Sequence, residues 1–96
     1  MRKALAFNPK DNVAVALKDL SEGEEIEVSV GNEVVKVKLL NNIPFGHKFA
    51  LRDIKKGGYI IKYGELIGIA TKDIRKGEHV HTHNIAGLRS KTIQDS

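Results

Sequence analysis

A chain of 96 residues, 41% hydrophobic and 29% charged, reads as one water-soluble domain spanning 1–96, with a core over about residues 3–86 and a polar tail at 88–96. It has no cysteine, which excludes disulfides, thiolate metal centres and thiol catalysis; with no apolar run long enough for a membrane and no secretory signal behind its basic start, a cytoplasmic protein is expected. The net charge of +4 comes from 16 Lys and Arg dispersed beside acidic residues, and with only three Phe and two Tyr to stack on bases, neither nucleic acid nor membrane is an expected partner.

The first elements in chain order are strands at 3–7 ("KALAF") and 13–17 ("VAVAL"). From Ala16 runs "ALKDLSEGEEIEV", which has two relatives further on: "ALRDIKKGGYIIK" from Ala50 and "ATKDIRKGEHVHT" from Ala70. All three fit A-x-[KR]-D-[LI]-x-x-G-x-x-[IV], and their uneven spacing excludes a solenoid of fixed period. The phrase describes a turn between strands. Leu or Ile points back into the core, two polar residues cross the tip, and Gly takes a backbone conformation that other residues resist. Asp19, Asp53 and Asp73 are expected to accept hydrogen bonds from backbone N–H groups two or three residues on, a structural role rather than a catalytic one.

Next comes a hairpin. "EEIEVSV" and "EVVKVKLL" flank Gly31-Asn32, a loop of the Gly-x type that suits a primed turn. Counting outward pairs Val28 with Val35 and Ile26 with Val37 on the apolar face, and Glu27 with Lys36 and Glu25 with Lys38 on the charged one. Further strands are expected at 48–52, 59–62, 66–71 and 79–85, and no window has the apolar spacing of a long helix. The fold class is mostly β, a small barrel-like or clip-like sheet.

Two stretches stand apart from this scaffold. In "NNIPFGHKFAL", residues 41–51, a Gly beside His47 and Lys48 could let backbone N–H groups approach an anion; an ordinary Pro-x-Gly turn with a solvated His47 is the alternative. In "HVHTHN", residues 79–84, a strand would put His79, His81 and His83 on one side with Cα atoms roughly 6.5–7 Å apart. Imidazoles so placed can ligate zinc, iron and related metals, with His47 or a carboxylate completing the set; a polar strand face is the alternative. No Ser-His-Asp arrangement, phosphate loop or paired carboxylates can be read.

The segments "DNVAVAL", "PFGHKFAL" and "IKYGELIGIATKDIRKGEHVHTHN", in that order over roughly residues 8 to 85, resemble the N-terminal SAF-type domain of the altronate and galactarate dehydratase family. The repeated Asp-[Leu/Ile]-x-x-Gly phrase alone would indicate only the wider SAF class. The resemblance implies a β-clip fold, and a lyase that eliminates water from sugar acids, or sulfite from sulfolactate, with a divalent metal, typically iron. It implies His47 and Lys48 as catalytic groups, His79 and Asn84 as substrate contacts and His81 and His83 as metal ligands. Fused members continue into a much larger catalytic domain, so a chain ending at Ser96 is expected to be a small subunit or detached domain. Its implied partners are a larger dehydratase chain and a sugar-acid substrate, with self-association into a homo-oligomer left open. A non-catalytic carbohydrate- or protein-binding SAF module is the other reading.

Overall fold

Among the described residues, nine short strands and the turns between them build the domain: β1 (Ala4–Leu5), β2 (Val13–Ala16), β3 (Glu25–Val30), β4 (Glu33–Lys38), β5 (Lys48–Ala50), β6 (Tyr59–Lys62), β7 (Glu65–Ala70), β8 (His79–Val80) and β9 (Ile85–Gly87). The structure, a computed structural model, describes residues 2–87, and the expected polar tail at 88–96 lies outside them. The mostly-β expectation holds: among the described residues there is no helix, and all strand pairs are antiparallel. They form sheets ordered β1-β2-β5-β8, β3-β4 and β6-β7-β9.

The β3–β4 hairpin has the register counted from its loop, with Val28 opposite Val35, Ile26 opposite Val37, and Glu25 and Glu27 opposite Lys38 and Lys36. Gly31 has φ +63° and Asn32 stays out of the left-handed region, as in a type II′ turn. The β6–β7 hairpin turns on Tyr63 and Gly64, with φ of 54° and 79°, a type I′ geometry rare for tyrosine. Buried Asp11 pins it, accepting from Gly64 N–H at 2.7 Å through Oδ1 and from Phe7 and Asn8 N–H at 3.0 and 3.1 Å through Oδ2. The neighbouring Asn12 repeats the device on β6, donating to Tyr59 O and accepting from Ile61 N–H, each at 2.8 Å.

The three turn phrases behave as expected in part. Leu20, Ile54 and Ile74 are buried, and Gly23, Gly57 and Gly77 all have φ near +90°. The aspartates, however, do not bond within their own turns. Asp53 Oδ1 accepts from Lys76 N–H at 2.8 Å and Asp73 Oδ1 from Lys56 N–H at 2.9 Å, so the second and third turns cap each other. Asp19 accepts from Phe45 N–H at 2.8 Å, which exposes a fourth copy hidden in "LLNNIPFGHK". There Asn42 stands for Asp and accepts from Glu22 N–H at 2.8 Å, completing the exchange. Each pair is sealed by a reciprocal backbone bridge, Leu20 with Ile43 at 2.9 Å and Ile54 with Ile74 at 2.7 Å. Two turns facing each other satisfy one another's N–H groups better than a turn closing on itself, because the tip N–H groups point outward toward the partner.

Two small cores result. One gathers Leu20, Ile26, Val28, Val37, Leu39, Ile43 and Phe49, among others, around the first turn pair. The other gathers Ile54, Ile60, Ala70, Ile74 and Val80 around the second. Between them lie β2 and β5, whose alternate residues enter opposite cores: Ala14 and Phe49 on one side, Val13 and Ala50 on the other. Gly77 joins the two turn pairs at close quarters. A Cβ there would collide with the carbonyl of Lys38, so only glycine lets the third phrase dock against the end of β4.

Candidate functional site

His47 leaves its turn directly after Gly46, whose φ is +83°, with its carbonyl accepting from Ala16 N–H at 2.9 Å. Lys48 follows as the first residue of β5, and β5 pairs with β8, setting Phe49 opposite His79. Residues 32 apart in sequence therefore meet. His47 Nδ1 lies 2.9 Å from His79 Nε2, a hydrogen bond in which one of the two nitrogens carries the proton.

The expected strand over 79–85 is not continuous. It ends at Val80, residues 81–84 turn, and β9 begins at Ile85. His79, His81 and His83 consequently do not share a strand face. The break comes from Asn84, which is fully buried and whose amide accepts from His81 N–H at 3.0 Å and donates to His79 O at 2.9 Å. The turn folds His81 back over His47, with ring centroids 4.3 Å apart and planes 19° off parallel. His83 is exposed and stacks on His79 at 5.3 Å.

One ligand nitrogen from each of His47, His79 and His81 lies within 4.8 Å of the others. Tetrahedral coordination at about 2.0–2.1 Å places such nitrogens roughly 3.3 Å apart, so the three would draw together by up to about 1.5 Å to share one ion. The set contains no carboxylate, and imidazole ligation requires the neutral ring. Burial, then the neighbouring His47, His83, His81 and Lys48, holds the His79 pKa below its ordinary value. Burial, then His47, Lys48 and His83, does the same for His81. The residues fit a divalent transition metal of the kind that takes nitrogen ligands.

Lys48 is half-buried; desolvation first, and the charge of Lys62 second, lower its pKa. Lys48 stands close enough to act electrostatically on His79 and His81, which suits an anionic group held among them.

Of the six expected site residues, the structure thus brings His47, His79 and His81 into one cluster, with Lys48 beside it and His83 at its rim. Asn84 lies behind the cluster, turned to the backbone and closed to solvent. Asn41 had no place in the expected site, yet its Oδ1 accepts from His79 N–H at 2.9 Å. Its sequence signal was its place at the head of "NNIPFGHKFAL", beside Asn42 in the disguised fourth phrase.

A small all-antiparallel β domain with paired Asp/Asn-capped turns and a histidine cluster at their junction defines the class. Residues 2–88 match the family described as the altronate/galactarate dehydratase SAF domain, and the chain belongs to it. It is 57% identical to altronate dehydratase of Escherichia coli (strain K12) over 74 residues, 77% of this chain and 14% of that protein. It is 44% identical to the (2R)-sulfolactate sulfo-lyase subunit alpha of Paracoccus pantotrophus over 57 residues, 59% of this chain and 85% of that one. The galactarate dehydratase (L-threo-forming) of Escherichia coli (strain K12) is 40% identical over 70 residues, 73% of this chain and 12% of the enzyme. The chain therefore spans only a small fraction of the dehydratases it matches.

Proposed function

We propose that this chain is the small subunit, or a separate N-terminal domain, of a metal-dependent lyase acting on a sugar acid such as altronate or galactarate. The observation that carries the reading is the convergence of His47, His79 and His81 from two segments distant in the sequence of a dehydratase-family domain. The relatives support a larger catalytic part beside this domain: the dehydratases extend far beyond the matched segment, and the sulfo-lyase relative is named a subunit.

In this reading His47, His79 and His81 hold a divalent metal, with iron the expected ion, and His83 stands at the mouth of the site. Such an ion, when bound, polarises a substrate carboxylate or hydroxyl and eases loss of the proton α to the carboxylate. Lys48 attracts and orients the substrate carboxylate. In the metal-free site His47 Nδ1 and His79 Nε2 share one proton across 2.9 Å, a hydrogen bond that ligation would replace. Asn84 is withdrawn from substrate contact and serves the backbone. The remaining acid–base groups belong to the larger chain, for which exposed Phe45, two residues before His47, offers an apolar contact.

The test is purification of the tagged chain from its native host, followed by turnover assays with altronate, galactarate and sulfolactate. Support is a larger chain in fixed ratio and elimination only when both are present, abolished by His47→Ala or His81→Ala. A chain that emerges alone at low salt and binds saccharide without turnover would instead establish the carbohydrate-binding module.

A further inference from the structure

Both backbone polar groups of His79 and both of His81 are held by asparagines. His79 N–H donates to Asn41 Oδ1 at 2.9 Å, and His79 O accepts from Asn84 Nδ2 at 2.9 Å. His81 N–H donates to Asn84 Oδ1 at 3.0 Å, and His81 O accepts from Asn84 N–H at 3.1 Å. Asn84 O in turn accepts from Thr71 N–H at 2.9 Å, anchoring the turn to the end of β7. The fully buried amide has no unpartnered atom. A lone strand edge would leave the outward N–H and C=O of His79 to water, and water would not fix the direction of its side chain.

We infer that Asn84 is a positioning residue that, with Asn41, clamps the backbone of His79 and His81 so that their imidazoles converge on His47. The inference rests on the site named above but assigns Asn84 a different task from substrate contact. An amide is the one side chain suited to it. It offers an acceptor and a donor at once, in a fixed plane and without charge, where aspartate would set a second carboxylate beside Glu78, whose Oε2 lies 3.5 Å from Asn84 Nδ2. Buried polar groups that orient ligands typically change metal affinity about 10- to 100-fold when removed.

Asn12 supplies an internal control. It too is a buried amide that bridges backbone groups, but on β6 and away from the histidines. The experiment compares wild type, Asn84→Ala, Asn41→Ala and Asn12→Ala by imidazole proton NMR in the metal-free chain and by Co²⁺ titration calorimetry, with thermal melts alongside. The expected result is that Asn84→Ala moves the His79 and His81 ring resonances toward those of free histidine and weakens Co²⁺ binding at least tenfold. Asn12→Ala should lower the melting temperature comparably and leave rings and affinity unchanged. Wild-type ring shifts and affinity in Asn84→Ala, or equal losses in Asn12→Ala, would overturn the clamp. Should Asn84→Ala fail to fold, exposed Asn41 decides: an unmoved His79 resonance in Asn41→Ala overturns it. A wild-type chain with dispersed ring resonances and no Co²⁺ binding would sink the metal reading, leaving the clamp to be judged on the ring shifts alone.

Discussion

His79 shows how much the neighbours of one residue can dictate. Its ring is partly buried, bonded to His47 and flanked by His81, His83 and Lys48, so a proton on it meets both lost hydration and positive neighbours. Its native pKa lies below the ordinary 6.5, as does that of His81. The unfolded chain then binds protons that the folded one refuses, so acid favours unfolding. The contribution of these rings to stability is complete above the unfolded value of 6.5 and is lost as the pH falls through the lower native values. Melting temperatures measured in chelator from pH 8 downward should decline below about 6.5, and His79→Gln should flatten that decline. A His79→Gln curve as steep as that of wild type would show that other groups carry it. The sequence made these histidines visible as candidates, but not how they meet: alternation in "HVHTHN" put His79, His81 and His83 on one strand side with His47 or a carboxylate completing the set, whereas Asn84 breaks the strand and sends His81 to His47.

At the scale of elements, the four turn phrases form a set of natural variants of one structure. Three carry Asp at the capping position and one carries Asn, and every one accepts from the N–H three residues beyond its counterpart in the facing turn. Since an amide oxygen already does this work at Asn42, Asp73→Asn should leave the urea midpoint nearly unchanged. Asp73→Ala leaves Lys56 N–H without its partner and should cost about 0.5–2 kcal/mol, the range of a lost helix cap, which is the same kind of bond. Equal losses for the two substitutions would mean that charge, not acceptance, matters. The aspartates' structural role was legible because the same residue recurs at the same turn position. Their reach was not, since the pairing of turns 20 or more residues apart depends on which strands meet. The fourth copy escaped for a chemical reason: Leu39, Asn42 and Phe49 replace Ala, Asp and Ile or Val while preserving apolar groups and an acceptor, and Asn41 replaces the basic residue.

For the whole molecule, the consequential feature is that β2 and β5 serve two cores at once. Neither core can be lost without stripping one face from the strands that form the other. Urea unfolding followed by far-ultraviolet circular dichroism and by tyrosine fluorescence, whose Tyr59 and Tyr63 report on the β6–β7 side, should give coincident transitions. Separate midpoints would show two independent units. Phe49→Ala, in the first core, should destabilise by about 3–5 kcal/mol and shift both signals together. Alternation, turn residues and hairpin register are local, being set by interactions between residues close in the chain, and so the sequence by itself determined the mostly-β class, the β3–β4 pairing, the turn phrase and the family. Only the tertiary structure decided which turns cap each other, that Asn84 ends β8, and that His47, His79 and His81 form one cluster. Asn84 ends β8 through bonds to residues only three and five positions away, made where its side chain is buried. The turn pairs and the cluster, by contrast, depend on contacts between segments 20 to 50 residues apart, where a hydrogen-bonding group will accept whichever partner the packing of the strands delivers to it.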